Sequence, residues 1–244
     1  MIKTPLEEQK IRQAGRIGAM ALKAALLAIR PGVTLLEING AAEAEILKNN
    51  ATPAFKKVPN YSFATCININ EGIVHGIPDE YVIKEGDVVS VDLGAYFEGF
   101  NSDLAYTVEV GTKKHESFLK AGERALYEAI DQCKVGNRLG DVSGTIQDVV
   151  ESAGYSVSRD LVGHGIGREM HEKPQIPCYG VRGTGQILKE GMVLAVEVIY
   201  QKGSPTLVLS DDAWTLETAD KSVSALFEHD VLITGKGPEI LTKL

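Results

Sequence analysis

The chain is poor in cysteine, in basic residues and in long apolar runs. Its three cysteines, Cys66, Cys133 and Cys178, are odd in number and widely spaced. Such a set builds neither a disulfide framework nor a zinc ribbon, so a reducing, cytoplasmic setting is expected. The apolar stretch nearest the N-terminus, "IGAMALKAALLAI", is broken by Lys23, and no small-residue cleavage site follows a basic start. Neither a membrane span nor a secretory signal is expected from it. Basic residues number 25 against 33 acidic ones, a net charge of −8, which argues against a nucleic-acid scaffold. The pairs Lys56-Lys57 and Lys113-Lys114 are too small to reverse that balance. What remains, 44% apolar and 24% charged over 244 residues, is an ordinary soluble globular chain able to bury a sizeable core.

Helix signals are well spaced. Thr4-Pro5-Leu6-Glu7 is a capping box with proline at the first helical position, and it predicts a helix over 5–30, ending before Pro31-Gly32. Thr34-Leu35-Leu36-Glu37 repeats the pattern and opens a second helix toward Leu47. A loop bearing Pro and Asn follows, then strand-like pieces "ATCININ", "GDVVSVDLGAYF" and "LAYTVEV". A third helix is predicted over about 115–133 and a fourth over about 141–153, before a strand-rich tail from Gly191.

Helices and strands thus come twice in the same order, and three segments repeat at nearly one offset. "KEGDVVSVDLGAYFEG" from Lys84 matches "KEGMVLAVEVIYQKG" from Lys189; Ala14-Gly15 matches Ala121-Gly122; "PGVTLLEI" matches "VGNRLGDV". The repeat makes Asp92 and Glu197 equivalent. Each is an acidic residue within an apolar run, where an isolated carboxylate costs several kcal/mol or stays protonated. Two such groups brought together repel, and a shared metal is the physical remedy.

Further polar residues gather around this pair. Glu98-Gly99 supplies turn chemistry for a hairpin, which places Asp103 opposite Asp92 or one diagonal step away. In "ALFEHDVLIT", strand alternation lets only one of Glu228 and His229 face the centre; Glu228 shares its face with Leu226 and is favoured. His164 sits between two glycines in "GHGIGREMHE", His171 follows seven residues on, and His75 lies in "NEGIVHGIP". Flanking glycines permit close backbone approach or positive φ. His115 reads as a capping or surface residue. Four carboxylates with one or more imidazoles suit Mn²⁺, Fe²⁺, Co²⁺ or Zn²⁺. Two ions balance that charge and suit hydrolysis.

"NEGIVHGIP", "VDLGAYFEGFNSD", "GHGIGREMHE", the Val-Glu of the second KEG segment and "FEHDVLIT" together resemble the methionine aminopeptidases. The similarity is greatest to the short bacterial type I form of the pita-bread (creatinase-like) fold, and it runs from "AGRIGAMAL" to "VLITGKGPEIL". The resemblance implies an α+β fold of two pseudo-symmetric αβ halves, about 5–112 and 113–240. They form one catalytic domain over 1–244, with a central curved antiparallel sheet and the metal site between them. It implies that Asp92, Asp103, His164, Glu197 and Glu228 bind two divalent metals, with Asp103 and Glu228 bridging. Glu197 would also shuttle protons from the attacking water. His171 would polarise the scissile carbonyl and His75 would lie near the leaving amide. Tyr61, Cys66, Met170 and Trp214, with Phe55 and Val58 before them, match the methionine pocket. Three departures stand out: Val58 replaces a common tyrosine, Met170 a frequent phenylalanine, and Val198 the usual proline after the glutamate.

The function so implied is removal of the initiator methionine from nascent proteins, with a small second residue preferred. The partners are nascent N-termini, met at the ribosome, and the enzyme acts in the cytoplasm as a monomer. No nucleic-acid or membrane binding is expected. Two rivals are an Xaa-Pro aminopeptidase or dipeptidase of the same fold and a non-catalytic binding relative.

Overall fold

In the computed structural model, which describes residues 2–244, four helices lie over one face of a large antiparallel sheet. Helices α1 (Pro5–Ala28) and α2 (Leu35–Lys48) precede the strands of the first half; α3 (Glu116–Ile130) and α4 (Leu139–Ser152) precede those of the second. Both predicted capping boxes are present: Thr4 with Glu7, and Thr34 with Glu37, each exchange side-chain and backbone hydrogen bonds. Helix α1 stops two residues short of the predicted end, since Arg30 precedes Pro31 and a residue before proline is driven out of the α region. Helix α4 begins at Leu139, two residues early. Asp141, the predicted start, lies in its first turn and accepts from the Arg138 N–H at 2.7 Å. Helix α3 gives way at its end to a turn in which Gln132 and Cys133 bond three residues back.

The main sheet has nine strands, seven in a continuous antiparallel row. Named by their key residues, these run from the edge strand Glu172–Pro177 to the His164 strand (Val162–Gly165) and the Glu197 strand (Val193–Gln201). Then come the Glu228 strand (Ser224–Thr234), the Ala105 strand (Leu104–Glu109), the Asp92 strand (Val88–Leu93) and the Cys66 strand (Thr65–Ile69). The short strands Ser156–Val157 and Gly237–Ile240 pair onto the Glu197 and Glu228 strands. Alternation divides the faces. Val89, Val91 and Leu93 pack with Ile17, Leu22 and Ile38 of α1 and α2. Leu194, Val196, Val198 and Tyr200 pack with Phe118, Leu126, Ile146 and Val150 of α3 and α4. The intervening residues turn to the other face, where Glu197 and Glu228 meet a cavity and Val193 and Leu232 pack with Ile11 and Phe100.

The two halves are tied alike. The residue before α2 bridges to the approach of the first KEG segment, Thr34 with Val82; the residue before α4 bridges to the second, Arg138 with Ile187. The Gly32 N–H donates to the Ile83 carbonyl at 2.9 Å, and the Gly136 N–H to the Leu188 carbonyl at 3.0 Å. In both KEG turns the glycine is left-handed, Gly86 at φ 92° and Gly191 at φ 83°, a conformation costly for any residue with a Cβ. The pseudo-symmetry expected from the repeat is therefore built into backbone contacts.

Candidate active site

Register aligns the acidic residues. Glu197 pairs directly with Glu228, Glu228 with Ala105, Ala105 with Asp92, and Asp92 with Cys66. One lateral row thus carries three carboxylates, with the small side chain of Ala105 leaving room between Glu228 and Asp92. Phe97 pairs with Phe100 across the predicted Glu98-Gly99 turn. Since Asp92 pairs with Ala105, Asp103 lies on the diagonal from Asp92, the second of the two expected positions. Glu228 faces the cavity, whereas His229 points the opposite way, against the Tyr127 ring and within 2.9 Å of the Thr242 hydroxyl.

His164 enters from the neighbouring strand, paired with Ala195. Its two glycines take ordinary φ; they serve close approach alone. A Cβ on Gly163 would lie 2.5 Å from the Ala195 carbonyl oxygen, and one on Gly165 2.4 Å from that of Lys173. His164 Nδ1 lies 3.0 Å from the Gly165 carbonyl, which can only accept, so Nδ1 carries the hydrogen and Nε2 keeps its lone pair. That Nε2 is 3.4 Å from Glu197 Oε1 and 3.8 Å from Asp103 Oδ2. Ligand atoms of Asp103, His164 and Glu228 all lie within 4.8 Å of one another.

The electrostatics call for a cation. Loss of water pushes the Asp92 carboxyl up to about 7, and Asp103, Glu197 and Glu228 go well above the ordinary carboxylate range, burial first and mutual repulsion second. Burial, helped by nearby His171, lowers His164 to about 4, which keeps it neutral and free to ligate. Asp92 Oδ1, Asp103 Oδ1 and Glu228 Oε1 are buried with no hydrogen-bond partner. Among the described residues no lysine or arginine lines the cavity. Orphaned carboxylate oxygens beside an available imidazole lone pair fit a divalent metal.

A cavity of about 370 Å³ opens over this cluster and is lined by all thirteen residues assigned to the site from the sequence. His75 and His171 stand at its wall, open to solvent on one side, and the shielding of the rings by the wall holds both below the usual imidazole value. The His171 ring contacts that of His164, centroids 4.4 Å apart. His75 is held at φ 62°, a strained conformation that recurs at functional positions. On the apolar side, Phe55, Tyr61 and Cys66 form a small buried cluster against Val58, Met170 and Trp214; the Tyr61 and Trp214 rings lie 5.1 Å apart. Val198 is buried on the helix-facing side and pairs with Phe227 in unbroken register, so the expected proline is replaced without disturbing Glu197.

Two groups went unnoticed in the sequence. Val74, Leu161 and Ile199 also line the cavity, and apolar wall residues carry no motif. Asp230 is a fifth, fully buried carboxylate beside the cluster. The alternation that selects Glu228 also places Asp230 on the same face, so its signal was present.

Residues 9–235 match the model of metallopeptidase family M24. The methionine aminopeptidase of Clostridium perfringens is 42% identical over 244 residues, covering 99% of this chain and 98% of that protein. The crystal structure of methionine aminopeptidase from Thermotoga maritima superposes with a TM-score of 0.98 at 45% identity, covering 100% of this chain and 99% of that one. The prolidase of Pyrococcus furiosus matches with a TM-score of 0.81 at 29% identity, but this chain spans only 65% of its length. The chain belongs to metallopeptidase family M24, among its methionine aminopeptidases.

Proposed function

We propose that the protein is a metal-dependent methionine aminopeptidase that removes the initiator methionine from nascent proteins, preferring a small second residue. One observation carries this reading. Four carboxylates and a neutral imidazole converge, with no lysine or arginine among the described lining residues, beside an apolar, aromatic-lined wall in a single cavity. The curated and structural relatives with matching length support the methionine substrate over the prolidase reading.

Asp92, Asp103, His164, Glu197 and Glu228 would hold two divalent cations, Mn²⁺, Fe²⁺, Co²⁺ or Zn²⁺, whose charge the four carboxylates would balance. Such ions, when bound, supply a nucleophilic water at neutral pH and polarise the scissile carbonyl. This chain's own residues do the rest. Glu197 accepts the water's proton and returns it to the leaving amine. His171, neutral at pH 7, donates a hydrogen bond to the carbonyl oxygen, and His75 sits near the leaving amide. Phe55, Val58, Tyr61, Cys66, Met170 and Trp214 take the methionine side chain, whose thioether packs well against aromatic rings. The acidic cavity also attracts the substrate's free α-ammonium.

The halves 5–112 and 113–240 act as one catalytic unit, supported by the single sheet that runs through both. The protein meets nascent N-termini at the ribosome as a cytoplasmic monomer, without nucleic-acid or membrane binding of its own. Among the described residues, no helix is long and apolar enough to cross a membrane. Competition between Met-Ala-Ser and Ala-Pro peptides tests the substrate: methionine release dominates, whereas faster Ala-Pro cleavage would establish the prolidase reading.

A further inference from the structure

Asp230 lies two residues beyond Glu228 on the same strand face, which sets it across from Asp103 along the antiparallel register. Two carboxylates facing each other across strands repel. The structure resolves the conflict by turning Asp230 onto the backbone: its Oδ2 accepts the Asp103 N–H at 2.9 Å. Asp103 precedes the first residue of its strand, Leu104, and Asp230 is the acceptor its N–H finds. The residue before it is fixed as well: the Ser102 N–H donates to the Ala95 carbonyl at 2.8 Å, and Ser102 Oγ to the Ala14 carbonyl of α1 at 3.1 Å.

Asp230 is itself clamped. Its N–H donates to Thr242 Oγ1 at 3.0 Å, and its carbonyl accepts from the Leu241 N–H at 2.8 Å. It is fully buried, does not line the cavity, and has its Oδ1 unpartnered. A buried carboxylate without a neutralising cation is expensive. Among the described residues, Asp230 meets the site only through the Asp103 backbone N–H.

We infer that Asp230 is a positioning residue of the metal centre, aiming the Asp103 carboxylate by holding the Asp103 amide. The inference rests on the reading of Asp103 as a metal ligand. Its working part is the hydrogen-bond acceptor rather than the negative charge, so an asparagine, whose side-chain oxygen can accept the same bond, replaces it.

The test compares wild type, Asp230→Asn and Asp230→Leu, the last of similar size but without an acceptor. Proteins stripped of metal are titrated calorimetrically with Mn²⁺, and the visible ligand-field spectrum of the Co²⁺ forms is recorded. Far-UV circular dichroism and thermal unfolding establish that each variant folds. Asp230→Leu should bind Mn²⁺ about 10–100-fold more weakly, with an altered Co²⁺ spectrum, while Asp230→Asn keeps wild-type affinity and spectrum. Wild-type affinity in Asp230→Leu overturns the inference alone. So does a folded Asp230→Asn that binds Mn²⁺ about 10-fold or more weakly than wild type, a comparison that decides even if the leucine variant does not fold. A wild-type protein that binds no Mn²⁺ overturns the site reading together with the inference.

Discussion

At position 197 a carboxylate sits between Val196 and Val198, whose side chains pack into the apolar cluster with α3 and α4 while its own points into the cavity. The apolar flanks hold the charge in place, and a bound cation would offset its burial. The same logic applies to Asp92 in the first half. It also explains what could be read from residues alone. A charge inside an apolar run is visible in a sequence, as is the strand alternation that separates Glu228 from His229. Asp230 escaped because it has no apolar run to interrupt; it reads as one more polar residue after Glu-His. Two residue-scale outcomes follow. Asp103→Asn or Glu228→Gln should lose at least one metal equivalent by calorimetry and most peptide turnover, because in the proposed site each oxygen removed would serve both ions. Normal turnover in either would refute the assignment. His171→Ala should keep its metal while turnover falls by roughly 10²–10³-fold, the cost of removing one donor to a developing oxyanion. Loss of metal in that variant would make His171 a ligand.

Elements were legible where local signals are strong. The two capping boxes marked α1 and α2, and the Glu98-Gly99 turn fixed the hairpin that delivers Asp103. Helix ends drifted by a residue or more, because Arg30 answers to the following proline and Asp141 caps from within the first turn. The edge strand Glu172–Pro177, "EKPQIP", carries two prolines and tolerates them only as an edge, so its sequence does not announce a strand. The four-residue His164 strand is likewise too short for any periodicity, and its glycines are the signal instead. Gly163→Ala should destabilise the protein by about 1–3 kcal/mol in urea unfolding, since its new Cβ would meet the Ala195 carbonyl oxygen at 2.5 Å. The same change should weaken Mn²⁺ binding by displacing His164. An unchanged midpoint and affinity would mean that the strands separate freely there.

Across the whole molecule, two similar halves contribute acidic strands to a common sheet, the first carrying Asp92 and the second Glu197 and Glu228, and most helical packing lies on the far face. The repeat in the sequence foretold this pairing; which residues would be neighbours across the Ala105 gap required the register itself. Concentrating these carboxylates has a price in the metal-free protein. Asp92 is raised to about 7 and the other three well above the ordinary carboxylate range, so the fold holds protons more firmly than the unfolded chain, where such groups titrate near ~4. That contribution to stability is fully present below the unfolded value and is lost as pH rises through the folded one. His164 and His229, lowered to about 4, oppose this below the ordinary histidine value, so the thermal midpoint of metal-free protein should fall between about pH 6.5 and pH 8, and Mn²⁺ should restore more at the upper end, where the ligands are ionised. A midpoint that rises across this interval without metal would contradict the shifts.

The most direct measurement is methionine release from a short Met-Ala peptide by protein stripped with a chelator and then resupplied with Mn²⁺ or Co²⁺. Release should vanish on stripping and return as divalent metal is added back, reaching its plateau near two equivalents. Full methionine release by the stripped protein, or none at any metal level in a protein that demonstrably binds the ions, would contradict the account.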